Sequence, residues 1–96
     1  MKRPAPRRLS AALDDLQGSL EPASVLARVQ RVWEQATGPM VAGAGRPIAA
    51  RDGVLTVICS DSVWAQELEL MGPDLVRRLN ESLGEQLIER LRCRTG

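Results

Sequence analysis

The sequence predicts an α+β domain in two layers, a three-stranded sheet with helices packed on one of its faces. Three observations lead there. Apolar residues recur at helical spacing from Val25 to Ala36 and again from Leu75 to Leu83; two extended runs flank Asp52-Gly53; and a last extended run, "IERLRCR", alternates in polarity near the end of the chain. A chain of 96 residues buries roughly 60 to 70% of its unfolded surface, enough for one core. With 44% apolar and 26% charged residues the composition is that of a globular protein, which argues against wholesale disorder.

Taken in order, the chain opens with "MKRPAPRR", four cations and no acid, whereas the remainder holds nine basic and twelve acidic side chains. The net charge of +1 therefore hides a basic arm ahead of a mildly acidic body. Two prolines and few apolar residues predict a mobile arm over 1–8 and a single domain over 9–96. Lys2, Arg3, Arg7 and Arg8 make that arm either a solubilising terminus or a set of phosphate contacts. Asp14 and Asp15 stand where a signal peptide needs an apolar core, and no run approaches a membrane span, so the expectation is a cytoplasmic protein without a membrane partner.

Leu9, Ala12, Leu13, Leu16 and Leu20 predict a short, weak helix interrupted by Gly18. The next helix is clearer: Val25, Leu26, Val29, Val32, Trp33 and Ala36 form one stripe, with Pro22 near its start and Gly38-Pro39 at its end. In "PMVAGAGRP", Gly43 and Gly45 are expected to break any regular element. Asp52-Gly53 is a strong hairpin signal, so Pro47 to Arg51 and Val54 to Ser60 pair antiparallel. Leu55, Val57 and Cys59 share one face of the second strand, and Val54, Thr56 and Ile58 the other; with both faces largely apolar, it is a central strand.

"SDS" then supplies helix N-cap candidates, and Trp64, Leu68 and Met71 form a stripe that packs back on the sheet. Gly72 and Pro73 end that helix and start another, striped by Leu75, Val76, Leu79 and Leu83, with Gly84 at C′. The last run places Leu91 and Cys93 inward and Arg90, Arg92 and Arg94 outward. Cys59 and Cys93 lack metal-ligand spacing and read as small buried apolar groups, not as a disulfide. Without the weak first helix the order is α-β-β-α-α-β, that of type II KH domains, an analogy of order that does not by itself give function.

A more specific likeness lies in the distinctive residues. The segment "VWEQATGPMVAGAGRPIAARDGVLTVICSDSVWAQELELMGPDLVRRLNESLG" resembles the bacterial DciA family, with a Trp shortly before a Gly, then "DGVLTV", then "SVWAQEL", then a Leu-rich helix with "LN" before "LG". The resemblance covers about residues 25 to 94. It implies a KH-like domain that binds the DnaB-type replicative helicase and assists its loading or activity at origins, with an affinity for DNA, single-stranded or forked. Two departures bear on mechanism. Nucleic-acid-binding KH domains clamp a backbone with a Gly-x-x-Gly loop, but here the inter-helix segment is "MGPDL". Where the family tends to carry an aromatic residue near the end of the last strand, this chain has Cys93, so base stacking from that strand is not offered.

The two Trp residues are the only aromatic ones. Trp33 lies within a helical stripe and reads as core. Trp64, where strand gives way to helix, either seals the end of a small core or shows an edge to solvent that, with Gln66 and Glu67, forms the helicase-binding surface. Arg90, Arg92 and Arg94 form a ladder that is either a charged, aggregation-resistant strand edge or a row of phosphate contacts. Enzymatic chemistry finds little support: the chain has no His, no Tyr and one Lys, no Gly-rich phosphate loop and no metal cluster, and no cofactor or small-molecule substrate is expected. Two functions remain, a DciA-like partner of the helicase and a KH-like module that binds RNA or single-stranded DNA independently of it.

Overall fold

The computed structural model describes residues 21–96. The basic arm, with Lys2, Arg3, Arg7 and Arg8, and the helix predicted over Leu9 to Leu20 lie outside the described residues. The elements are helices α1 (Pro22–Thr37) and α2 (Pro39–Ala44), strands β1 (Gly45–Arg51) and β2 (Val54–Cys59), helices α3 (Ser62–Leu70) and α4 (Gly72–Leu83), and strand β3 (Arg90–Thr95). From residue 21 onward this is the predicted order with one addition.

The addition is α2, in the stretch where two glycines were expected to prevent regular structure. Glycine lowers helix stability by about 1 kcal/mol without forbidding it. Here Pro39 starts the turn, where its missing N–H is not needed, buried Val41 and Ala44 anchor it, and the Gly45 N–H closes it on the Val41 carbonyl. The first strand consequently begins at Gly45, two residues before the predicted start. Gly45 passes so close to the core that a Cβ there would lie 3.0 Å from Val57 and 3.1 Å from Leu68. The last strand begins at Arg90, two residues late, because Ile88 is buried in the connection that leads into it.

The sheet order is β1-β2-β3, with β2 central as predicted, antiparallel to β1 and parallel to β3. Asp52 and Gly53 take φ of 53° and 81°, both in the left-handed region that a two-residue hairpin turn requires. The parallel β2–β3 pair needs a crossover, and α3 and α4 supply it. The β1–β2 register shifts between Pro47 and Ala49, so Ile48 is an extra, bulged residue.

The four helices of the described residues lie on the same side of the sheet. Leu55, Val57 and Cys59 of β2 form a continuous core with Val29 and Trp33 of α1, Leu68 of α3, and Leu75 and Leu79 of α4. Trp33 is 5% exposed, and its ring N–H donates to the Gly45 carbonyl at 2.9 Å, so this Trp ties α1 to the start of β1. Asn80, 3% exposed, is the polar hinge of the domain. Its Oδ1 accepts from the backbone N–H groups of Leu87 (3.0 Å) and Ile88 (2.9 Å), and its Nδ2 donates to the Ile88 carbonyl (2.8 Å) and to Gln86 (3.3 Å). Every hydrogen-bonding site of the amide is used, which is how a buried Asn becomes stabilising. This side chain thereby fastens the start of the connection between α4 and β3, and the Glu89 N–H, donating to the Gly53 carbonyl at 2.7 Å, fastens its end.

Candidate functional site

Two surfaces hold the side chains that the sequence singles out. The first is the outer side of α3. Asp61 caps this helix, accepting from the Trp64 N–H at 2.8 Å, and so fixes the angle at which the helix leaves β2. Leu68 points to the core, and Trp64 packs against its rim, half-buried. Both readings of Trp64 thus describe part of the same ring. Gln66 and Glu67 are exposed, as the partner-surface reading requires. Beside them stand two residues that sequence reasoning missed: Val63 is 67% and Leu70 72% exposed. Val63 and Leu70 are seven positions apart, so the solvent face of this helix carries two exposed apolar side chains with Glu67 between them. A helix apolar on two sides weakens the periodic signal, which is why only the inward stripe was legible.

The second surface is the open face of the sheet. Register sets its composition. Arg51, Val54 and Arg90 stand in one row, Ala49, Thr56 and Arg92 in the next, and Arg46, Ile58 and Arg94 in the third. The ladder Arg90, Arg92 and Arg94 is exposed on this face, as predicted, while Leu91 and Cys93 turn half-buried toward the helices. Arg46 and Arg51 were missed. Five positions apart, they would point to opposite faces of a regular strand, and the bulge at Ile48 brings them into phase. The result is two arginine rows on the edge strands with Val54, Thr56 and Ile58, each half-buried, between them. Among the described residues, none of these five guanidinium groups takes part in an ion pair.

The other arginines are engaged. Arg28 pairs with Glu85 at 2.8 Å and donates to the Leu83 carbonyl at the end of α4. On α4, Arg77 pairs with Asp74 and Glu81, and Arg78 with Asp74 at 3.0 Å. The hydrogen bond that Arg77 donates to the Asp74 carboxylate is the main reason that the Arg77 pKa lies above its ordinary value. The α3–α4 junction, where a nucleic-acid-clamping KH domain carries its glycine loop, is a single residue, Met71, between two helices. No loop projects there to hold a phosphate backbone.

The cysteines sit on the covered face. Cys59 is buried and Cys93 half-buried, and both are free thiols. Burial pushes the Cys93 pKa up to about 12, helped by Cys59 and Glu69, and burial likewise raises that of Cys59. At neutral pH both stay protonated, which makes them poor nucleophiles. Glu69 reaches instead to the backbone, its carboxylate accepting from the Cys93 N–H at 3.0 Å and so occupying a donor on β3. Among the described residues no three His, Cys, Asp or Glu side chains gather as metal ligands, and no helix is long and apolar enough to cross a membrane.

Comparison with known proteins places this domain. A UPF0232 protein of Streptomyces avermitilis is 37% identical over 92 residues, covering 91% of this chain and 50% of the relative. A UPF0232 protein of Mycobacterium tuberculosis is 32% identical over 60 residues, covering 62% of this chain and 32% of the relative. One from Rhodococcus jostii is 28% identical over the same length. The chain thus spans half or less of the length of these curated relatives. The model of the family described as "Dna[CI] antecedent, DciA" matches residues 8–93, nearly the whole chain and all but the last three residues of the fold described above, and the chain belongs to the DciA family.

Proposed function

We propose that this protein is a non-enzymatic accessory factor of DNA replication that binds the DnaB-type replicative helicase and assists its loading or activity on DNA. Family membership over residues 8–93 is the observation that carries the reading, because the family is associated with that helicase. The outer side of α3 supports it. Exposed Val63 and Leu70, with the edge of Trp64 alongside, give it apolar surface that a partner protein can cover, and exposed Gln66 and Glu67 add polar contacts beside it. The absence of His and Tyr from the chain fits a binding role. In this reading Trp64, Gln66 and Glu67 contact the helicase. Lys2, Arg3, Arg7, Arg8 and the ladder Arg90, Arg92 and Arg94 contact DNA, and the protein works in the cytoplasm without cofactor.

The test is a titration of the chain against the replicative helicase of the same organism, without DNA. Saturable binding at micromolar concentration or tighter is expected. Val63→Ser and Leu70→Ser, substitutions of exposed residues that leave the core intact, are each expected to weaken it about tenfold, or 1.4 kcal/mol. Absence of binding by the folded protein would overturn the helicase reading. The cationic sheet face favours the second reading in that event, a nucleic-acid-binding module that acts without the helicase.

A further inference from the structure

We infer that the open face of the sheet is a binding platform for single-stranded nucleic acid, with the phosphates held by arginines on both edge strands and the bases laid along Val54, Thr56 and Ile58. The proposal rests on the nucleic-acid part of the function above and not on its helicase part. It adds a place, a mode and two residues, Arg46 and Arg51, that family membership does not supply.

Charge is the first argument. Five guanidinium groups share one face, and none is neutralised by a carboxylate among the described residues. Arg77 and Arg78 on α4, exposed like these five, are by contrast both tied to acids. Cations held at close quarters without counter-charge repel one another, and a polyanion relieves that repulsion while releasing its own counterions.

Spacing is the second. Alternate residues of a strand are about 6.6 Å apart, so Arg90, Arg92 and Arg94 present a cation at roughly each step of an extended polynucleotide backbone. The rows on β1 and β3 are separated by two strand spacings, about 9.5 Å, and the reach of an arginine lets both rows close on one strand of nucleic acid lying along β2. Glu89 sits against Gly53 at the hairpin end, and the opposite end carries Arg46 and Arg94 with no acid in their row, so the charge is open-ended there.

The central strip is the third. Val54, Thr56 and Ile58 give base faces an apolar surface, and flanking guanidinium planes stack on bases as well as bind phosphates. A duplex keeps its bases stacked inside and is too wide to let both arginine rows close on one backbone, so it loses the strip and one row of phosphate contacts, and the single strand binds more tightly. With no aromatic side chain on this face, affinity depends chiefly on charge and falls steeply with salt.

The test uses the full chain and fluorescent oligodeoxythymidylate of about 15 nucleotides, without helicase. The double variant Arg46→Gln/Arg51→Gln is expected to weaken binding at least tenfold at moderate salt and to reduce the log–log salt slope by roughly 1.4, or 0.7 for each lost contact to a single strand. Arg31→Gln, an exposed cation on α1, is the control and should leave both unchanged. All these residues are exposed, so the variants fold, and circular dichroism verifies it. Wild-type affinity in the double variant, or an equal loss in the control, would overturn the proposal. So would a duplex of the same length that binds as tightly as the single strand, or polyglutamate that competes as well as the oligonucleotide at matched charge. Oligouridylate should bind as oligodeoxythymidylate does, since phosphates and base faces are common to both; binding of one alone would exclude this mode. Failure here leaves the helicase titration untouched, and failure there leaves this one untouched.

Discussion

The two faces of the sheet are built from the same three strands and have opposite characters. On the covered face, Leu55, Val57 and Cys59 are fully buried beneath four helices; on the open face, Val54, Thr56 and Ile58 are only half-buried and lie between rows of arginine. Apolar residues on both sides of β2 show that it is central without showing what covers each side. The flanking strands decide that: inward they place Gly45, Ala50, Leu91 and Cys93, and outward they place the arginines. Neighbours across the sheet, not the alternation within one strand, determine which face packs and which face binds.

The sharpest way to break this contrast is to truncate one residue on each face of β2. Leu55→Ala is expected to cost about 2 to 5 kcal/mol in urea unfolding, because a fully buried leucine leaves a cavity. Ile58→Ala, on the half-exposed side, is expected to cost roughly 1 kcal/mol, the partial loss of transfer energy without a cavity. Equal costs would mean that the open face is covered in the folded chain, and the platform would lose its basis.

Next in size is Asn80. Asn80→Ala removes partners from the Leu87 and Ile88 N–H groups and from the Ile88 carbonyl, at an expected cost of about 2 to 3 kcal/mol. Hydrogen exchange localises it: the Leu87 and Ile88 amides should lose protection first, before those of β2. Because this connection leads directly into Arg90, the variant also sharpens the comparison. It should slacken the β3 arginine row while leaving Arg46 and Arg51 in place.

Several of these features were legible in the sequence, for physical reasons. Asp52-Gly53 requires positive φ at two successive positions, and few other structures use that pair, so the hairpin and the direction of β1 and β2 could be read directly. Gly84 after the Leu75–Leu83 stripe marked the end of α4, and it does take the left-handed conformation. What escaped depended on tertiary geometry. The α2 turn forms against its own local propensity because Val41 and Ala44 find a core to enter. The bulge at Ile48 inverts the phase of β1, so the shared face of Arg46 and Arg51 appears only once the register is known. Asn80 is one polar residue in an amphipathic helix, and its partners lie in a connection whose path no periodicity describes. At the candidate surfaces the ladder was visible because alternation within one strand sufficed, whereas the second row and the exposed apolar residues of α3 were not.

The smallest expected effect concerns Cys93, which lies between Arg92 and Arg94 in the chain but on the other face. In the unfolded chain its thiol titrates near 8.5. In the folded chain burial, with Cys59 and Glu69 nearby, pushes it up to about 12, and Cys59 is raised as well. A raised pKa means that the folded state holds protons which the unfolded state releases. The associated stability is complete below about pH 8.5 and is lost as the pH climbs toward 12. The urea midpoint of the wild type should therefore fall further between about pH 7 and about pH 10 than that of Cys93→Ala, while titrations outside the Cys59–Cys93 pair cancel between the two proteins. If the arginines on either side governed this thiol, they would favour the thiolate and the difference would take the opposite sign. The sign of that difference thus reports which face of the sheet the thiol belongs to: a larger fall in the wild type places it among the helices, with the sheet standing between it and the arginine row.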